Sequence, residues 1–134
     1  MDGGGIPHAP RLIGAIHPEL FKVPGAKLRN IYGLFHSCDE ITGHLDSATF
    51  DYNTELTNCY EAFGETKLTS LGTSLFSTCK KITNMELTFD RCTSLTGAAF
   101  DYRSMTSVVN KARCFGGCTG LTDYNQMVAD GWAD

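Results

Sequence analysis

Phenylalanine recurs along this chain about every 13 residues, at Phe35, Phe50, Phe63, Phe76, Phe89, Phe100 and Phe115, with intervals of 15, 13, 13, 13, 11 and 15. A core packed from all directions has no reason to space one aromatic so evenly. A stack of similar segments does, because each pass of the chain must put the same side chain into the same core slot. The half-repeats are of two alternating kinds, so the full unit is about 26 residues. The first kind opens with asparagine five residues before the phenylalanine: Asn30, Asn58, Asn84 and Asn110, spaced 28, 26 and 26. Three residues after the phenylalanine stands Cys38, Thr66, Cys92 or Cys118. Next comes an aliphatic–threonine pair, Ile41-Thr42, Leu68-Thr69, Leu95-Thr96 or Leu121-Thr122. The second of these repeats is one residue short between Phe63 and Leu68. The second kind lacks the asparagine and carries Phe50, Phe76 and Phe100, followed by Leu56-Thr57, Ile82-Thr83 and Met105-Thr106. A degenerate copy runs from Ile16 through Phe21 to Asn30.

Each slot has a chemical reading. Phenylalanine fills the interior and stacks near its counterpart one repeat away. The aliphatic residue points inward from a strand of three or four residues, and the threonine after it points outward, since strand side chains alternate. Branching at Cβ suits threonine and isoleucine to that strand. The residues just before each phenylalanine, such as Cys59-Tyr60-Glu61-Ala62, fit one turn of helix. The asparagine amide has two donors and an acceptor. Held at a bend, it is expected to satisfy backbone groups of its own repeat and of the next.

The stretches Leu75-Phe76-Ser77-Thr78-Cys79-Lys80-Lys81-Ile82-Thr83-Asn84 and Phe89-Asp90-Arg91-Cys92-Thr93-Ser94-Leu95-Thr96-Gly97 resemble the BspA-like leucine-rich repeats of bacterial surface proteins, and their 26-residue subclass most closely. The resemblance covers roughly Ile16 to Asp123. Asn53, Thr66 and Arg103 depart from it at the cysteine position. It implies a right-handed, leucine-rich-repeat-like solenoid of short strands and short helical turns. It also implies a setting at cell surfaces, in adhesion, or in the tail and fibre proteins of bacterial viruses.

At 134 residues the chain suits one domain. We expect a linker over 1–15, where Gly3-Gly4-Gly5, Pro7 and Pro10 oppose regular structure, and the repeat array with its terminal cap over 16–134. Trp132 and Met127 are expected to cover the open end of the array, which would otherwise expose core and an unpaired edge. A formal charge of −4 with scattered lysines and arginines argues against nucleic acid. No run of 18 apolar residues predicts a membrane span, so no membrane insertion is expected. Met1-Asp2-Gly3-Gly4-Gly5 lacks the basic and apolar stretches of a signal peptide. Four of the six cysteines occupy the repeat slot, so free buried thiols are expected. Cys92 and Cys118, one repeat apart, stand where a disulfide is sterically open.

Catalytic and metal chemistry finds little footing. His36, Cys38 and His44 are close in sequence, but Cys38 is expected to face inward and His36 outward. Asp51 and Asp101 sit in matching Phe-Asp-Tyr triplets two repeats apart, at the far limit for a carboxylate pair. Gly116-Gly117 and Gly120 lack the lysine of a phosphate loop. We therefore expect no enzyme, cofactor or metal. The surface is a better lead. Tyr32 and Tyr60 both stand two residues after the asparagine, and tyrosine suits protein or glycan contacts unless the rings half-cover their own core. Thr42, Thr69 and Thr96 mark a polar strand face beside them, and Tyr52 and Tyr102 share another slot. The expected role is recognition of a host-cell or bacterial surface protein or glycan, outside the cell or on a virion. The alternatives are a structural subunit that builds a homo-oligomer or larger fibre and, behind it, an enzyme.

Overall fold

The computed structural model describes residues 13–22 and 27–134. Most of the expected linker, residues 1–12, lies outside the described residues. Segments one repeat apart run parallel and side by side. Asn30 bridges Asn58, Asn58 bridges Asn84, and Asn84 bridges Asn110. Among the described residues one regular sheet is present, of two parallel strands: β1, Thr42–Leu45, and β2, Lys67–Leu71. Gly14, within the span expected to be linker, instead bridges Ile41, so pairing begins before residue 16.

The expected turn of helix before each phenylalanine is not what forms. Among the described residues the helices are one turn of 3-10 helix, Tyr102–Ser104, and α1, Tyr124–Ala129. From each asparagine onward the chain is a ribbon of tight turns. Cys59, Glu61, Phe63 and Glu65 donate their N–H groups to the carbonyls of Asn84, Glu86, Thr88 and Asp90 in the next repeat. The residues between them, Ala62, Gly64 and Thr66, donate to the carbonyl three residues back. The cause is a left-handed residue at every fourth position. Gly33, Glu61, Leu87 and Arg113 hold one such slot, and Ser37, Glu65, Arg91 and Gly117 the other, with φ between 51° and 73°. A positive φ ends a right-handed turn and re-aims the next peptide. For residues other than glycine it costs about 1–2 kcal/mol each, a cost the inter-repeat hydrogen bonds offset.

The phenylalanines stand in two columns. Phe35, Phe63, Phe89 and Phe115 stack with ring centroids 5.5, 5.3 and 5.5 Å apart. Phe21, Phe50 and Phe76 stack at 5.1 Å, and Phe100 meets Phe76 edge-on at 5.4 Å. Ile41, Leu68, Leu95 and Leu121 are buried, and the threonines after them are exposed. Close approach of repeats also dictates glycine: a Cβ at Gly72 would strike the backbone of Ser47, and one at Gly120 the carbonyl of Leu95.

The slot three residues after phenylalanine holds a donor. Cys92 Sγ donates to the carbonyl of Phe63 at 3.0 Å, Cys118 Sγ to that of Phe89 at 3.1 Å, and Cys79 Sγ to that of Phe50 at 3.5 Å. Each phenylalanine carbonyl already accepts the N–H three residues on, as Phe63 does from Thr66, and its second lone pair takes the thiol. Asn53 plays the same part, with Nδ2 donating to the carbonyl of Phe21 at 3.2 Å. All six cysteines are free, so Cys92 and Cys118 form two hydrogen bonds rather than one disulfide.

The C-terminal segment closes the stack. Trp132 is buried with its ring 6.4 Å from Phe115, its carbonyl accepts the Phe115 N–H at 2.9 Å, and Met127 is fully buried. Asp130 locks this segment by accepting from Tyr102 Oη and Arg103 Nε.

Two substitutions test this packing. Phe89→Ala should lower stability in urea unfolding by about 3–5 kcal/mol, because Phe89 is fully buried between Phe63 and Phe115. Arg91→Gly should raise it by about 1 kcal/mol, since Arg91 is exposed at φ 61° in the slot where the last repeat carries Gly117.

Candidate recognition surface

The asparagine that opens each repeat holds the surface next to it. In all four repeats its Oδ1 accepts the N–H two residues on: Asn30 from Tyr32 at 2.8 Å, Asn58 from Tyr60 at 2.9 Å, Asn84 from Glu86 at 2.9 Å and Asn110 from Ala112 at 3.4 Å. This is the local turn that asparagine forms with its own backbone. It corrects the expectation that the amides reach the backbone of the neighbouring repeat. Stacking between asparagines runs through their backbones, and the one described bond from such an amide to another repeat is Asn110 Nδ2 to Glu86 Oε1, at 2.8 Å. None of these asparagines is buried.

The slot two residues on is thereby fixed in position while its side chain is free to vary. Tyr32 and Tyr60 occupy it in adjacent repeats, and their rings stack at 5.0 Å and 29°. Tyr32 is 60% exposed and Tyr60 is half-buried. Desolvation raises the pKa of the Tyr60 hydroxyl, and the carboxylates of Glu61 and Glu86 and the hydroxyl of Tyr32 push it the same way. Beside the pair, His36 Nε2 lies 3.4 Å from Glu61 and 3.7 Å from Glu65, and Ser37 Oγ donates to Glu65 at 3.3 Å. The sequence carries no signal for this cluster, because the contact appears only when residues 25–29 apart are stacked.

The threonines are arranged differently. Thr42, Thr69 and Thr96 are all exposed, but Thr42 pairs with Lys67 rather than Thr69. The same two-residue offset recurs where Gly97 bridges Leu121, between repeats of equal length, and a register shift lies between Gly43 and His44. Thr96 Oγ1 donates to the carbonyl of Thr69 at 3.1 Å, as Thr57 and Thr83 do one repeat back, so that hydroxyl faces the stack. On the same strands His44 Nδ1 lies 2.7 Å from Ser70 Oγ. The shared slot of Tyr52 and Tyr102 also splits. Tyr52 is 61% exposed with Lys22 Nζ 5.1 Å from its ring, whereas Tyr102 is buried in the terminal lock. Burial first, then Asp130, pushes the Tyr102 hydroxyl up to about 12.

The thiols are chemically quiet. Burial pushes Cys79 up to about 11 and Cys118 up to about 12, and places Cys59 and Cys114 well above the ordinary range. Cys38 is half-buried, and burial and then Asp39 raise it too. A buried thiol that is already donating a hydrogen bond is a poor nucleophile. Among the described residues no group of three or more His, Cys, Asp or Glu side chains could hold a metal ion, and no helix is long and apolar enough to cross a membrane.

Compared with protein-family models, with curated proteins and with solved structures, the chain gives no significant match.

Two measurements on the thiols follow. Iodoacetamide at pH 8 should modify Cys38 first and reach the other five only on unfolding. Raised thiol pKa values in the folded chain mean that the unfolded chain loses its protons first. Their contribution to stability is therefore full below the ordinary value of 9 and is lost as pH climbs towards 11 and 12. Urea midpoints measured across pH 8–11 should fall above pH 9 and not below it.

Proposed function

We propose that this chain is a right-handed, leucine-rich-repeat-like solenoid of the BspA-like kind, with about 26 residues per coil. In this reading it serves as a non-catalytic recognition or adhesion module of a bacterial surface protein or phage tail fibre and binds a protein or glycan outside the cell. The solenoid is supported by the parallel bridges that link Asn30, Asn58, Asn84 and Asn110, and by the two phenylalanine columns. Recognition is supported by one observation above the others. The slot after the asparagine reads Tyr32, Tyr60, Glu86 and Ala112, and its two tyrosines stack, Tyr32 exposed and Tyr60 half-buried, on a repetitive buried base. Packing constrains the core slots to one residue type, so only slots free of the core can encode a ligand. The quiet thiols support a non-catalytic role.

A second reading, a self-assembling structural subunit, has its own support. In the repeats that open at Asn30, Asn58 and Asn84 the ribbon donates N–H groups towards the next repeat, and in the last one the Trp132 carbonyl takes the Phe115 N–H. The two ends of such a stack differ, and head-to-tail contacts between unlike surfaces build open assemblies; here they would run between the outer side of the Trp132 segment and the first repeat. Size-exclusion chromatography separates the two readings, because a recognition module stays monomeric at concentrations where a fibre subunit lengthens.

The double variant Tyr32→Ala/Tyr60→Ala should keep its melting temperature within about a few degrees and lose attachment to the bacterial or host cells that the unchanged chain labels. Unchanged labelling by the variant would remove the tyrosines from the site. Loss of the fold would make them core residues.

A further inference from the structure

We propose that the Tyr32–Tyr60 stack receives a cation: an arginine or lysine side chain on an extended basic segment of a partner protein. The proposal rests on the recognition reading and names its ligand chemistry. One face of the Tyr32 ring is covered by Tyr60 at 5.0 Å, and Tyr32 as a whole is nonetheless 60% exposed. An aromatic face carries negative potential and attracts an ammonium or guanidinium group laid over it. The surroundings reinforce that sign. Glu61 adjoins Tyr60 in sequence, and Glu86 holds the same slot one repeat on, where Asn110 Nδ2 fixes its carboxylate at 2.8 Å. Among the described residues neither carboxylate has a lysine or arginine within ion-pair distance, and Glu61 has only His36. Two carboxylates without a lysine or arginine partner, beside a stacked ring, repel an acidic ligand and draw a basic one. The −4 charge of the whole chain acts in the same direction at longer range. Guanidinium adds planarity, so it stacks on Tyr32 as Tyr60 does from the other side.

The test is a titration of the full chain, with its tyrosines isotopically labelled, followed by NMR. The probes are Ac-Gly-Arg-Gly-Arg-Gly-NH2 and the same peptide with citrulline in place of arginine. Citrulline keeps the shape and removes the charge. The expected result is a saturable shift of the Tyr32 and Tyr60 ring signals with the arginine peptide alone. The shift should weaken at high salt, and Tyr32→Ala and Glu86→Gln should each weaken binding by about threefold or more. Equal shifts with citrulline, or shifts confined to other tyrosines, overturn the proposal. If maltohexaose moves the same two rings and the arginine peptide does not, the cation proposal falls and glycan recognition stands. If neither probe moves them and cell attachment survives the double tyrosine variant, both readings fall.

Discussion

Everything in this molecule hangs on a hydrogen-bond pattern that leaves the plane of each repeat. Alternate N–H groups of the turn ribbon point to the repeat ahead, and the groups between them close turns within their own repeat. A helix would keep all of those donors to itself. By sending every second one forward, the chain ties each repeat to its neighbour with spacing like that of a parallel sheet, about 4.8 Å. The rings, stacked at 5.1 to 5.5 Å, follow from that spacing. The left-handed residues are the means, and their recurrence at two slots in all four repeats marks them as part of the design rather than isolated strain.

The core then has little freedom. Two columns of rings fill the interior, and the carbonyls of Phe50, Phe63 and Phe89 each sit next to the slot three residues after the counterpart phenylalanine one repeat on. A small donor satisfies it there. Cysteine serves best because its thiol packs as a hydrophobe and still donates weakly. Asn53 serves as well by reaching further, to Phe21. Burial and hydrogen bonding together remove these thiols from chemistry, which joins the stability of the stack to the non-catalytic reading of its function.

On the proposed recognition reading, a ligand must be met by the slots that the stack leaves free. The local turn made by each asparagine gives the residue two positions on a fixed place and no fixed identity, and the rings of Tyr32 and Tyr60 meet there. The threonine face is less available than its exposure suggests, since Thr96 turns its hydroxyl into the backbone of the preceding repeat.

The sequence by itself determined the period, the two phenylalanine columns, the buried aliphatic residues Ile41, Leu68, Leu95 and Leu121, and the closing role of Trp132 and Met127. These are matters of burial, and burial is written in residue type and spacing. Only the tertiary structure decided where the peptides point. Glu61, Leu87 and Arg113 take a left-handed conformation that nothing in their side chains requests. Among the residues of their two slots only Gly33 and Gly117 advertise it. Tertiary structure alone also gave the asparagine oxygens to their own repeat, the thiols to a carbonyl, Tyr102 to the interior and Tyr52 to the surface. The physical reason is that an inter-repeat hydrogen bond has no partner until the neighbouring repeat is in place. Its direction is then a property of the stack, which no single repeat contains.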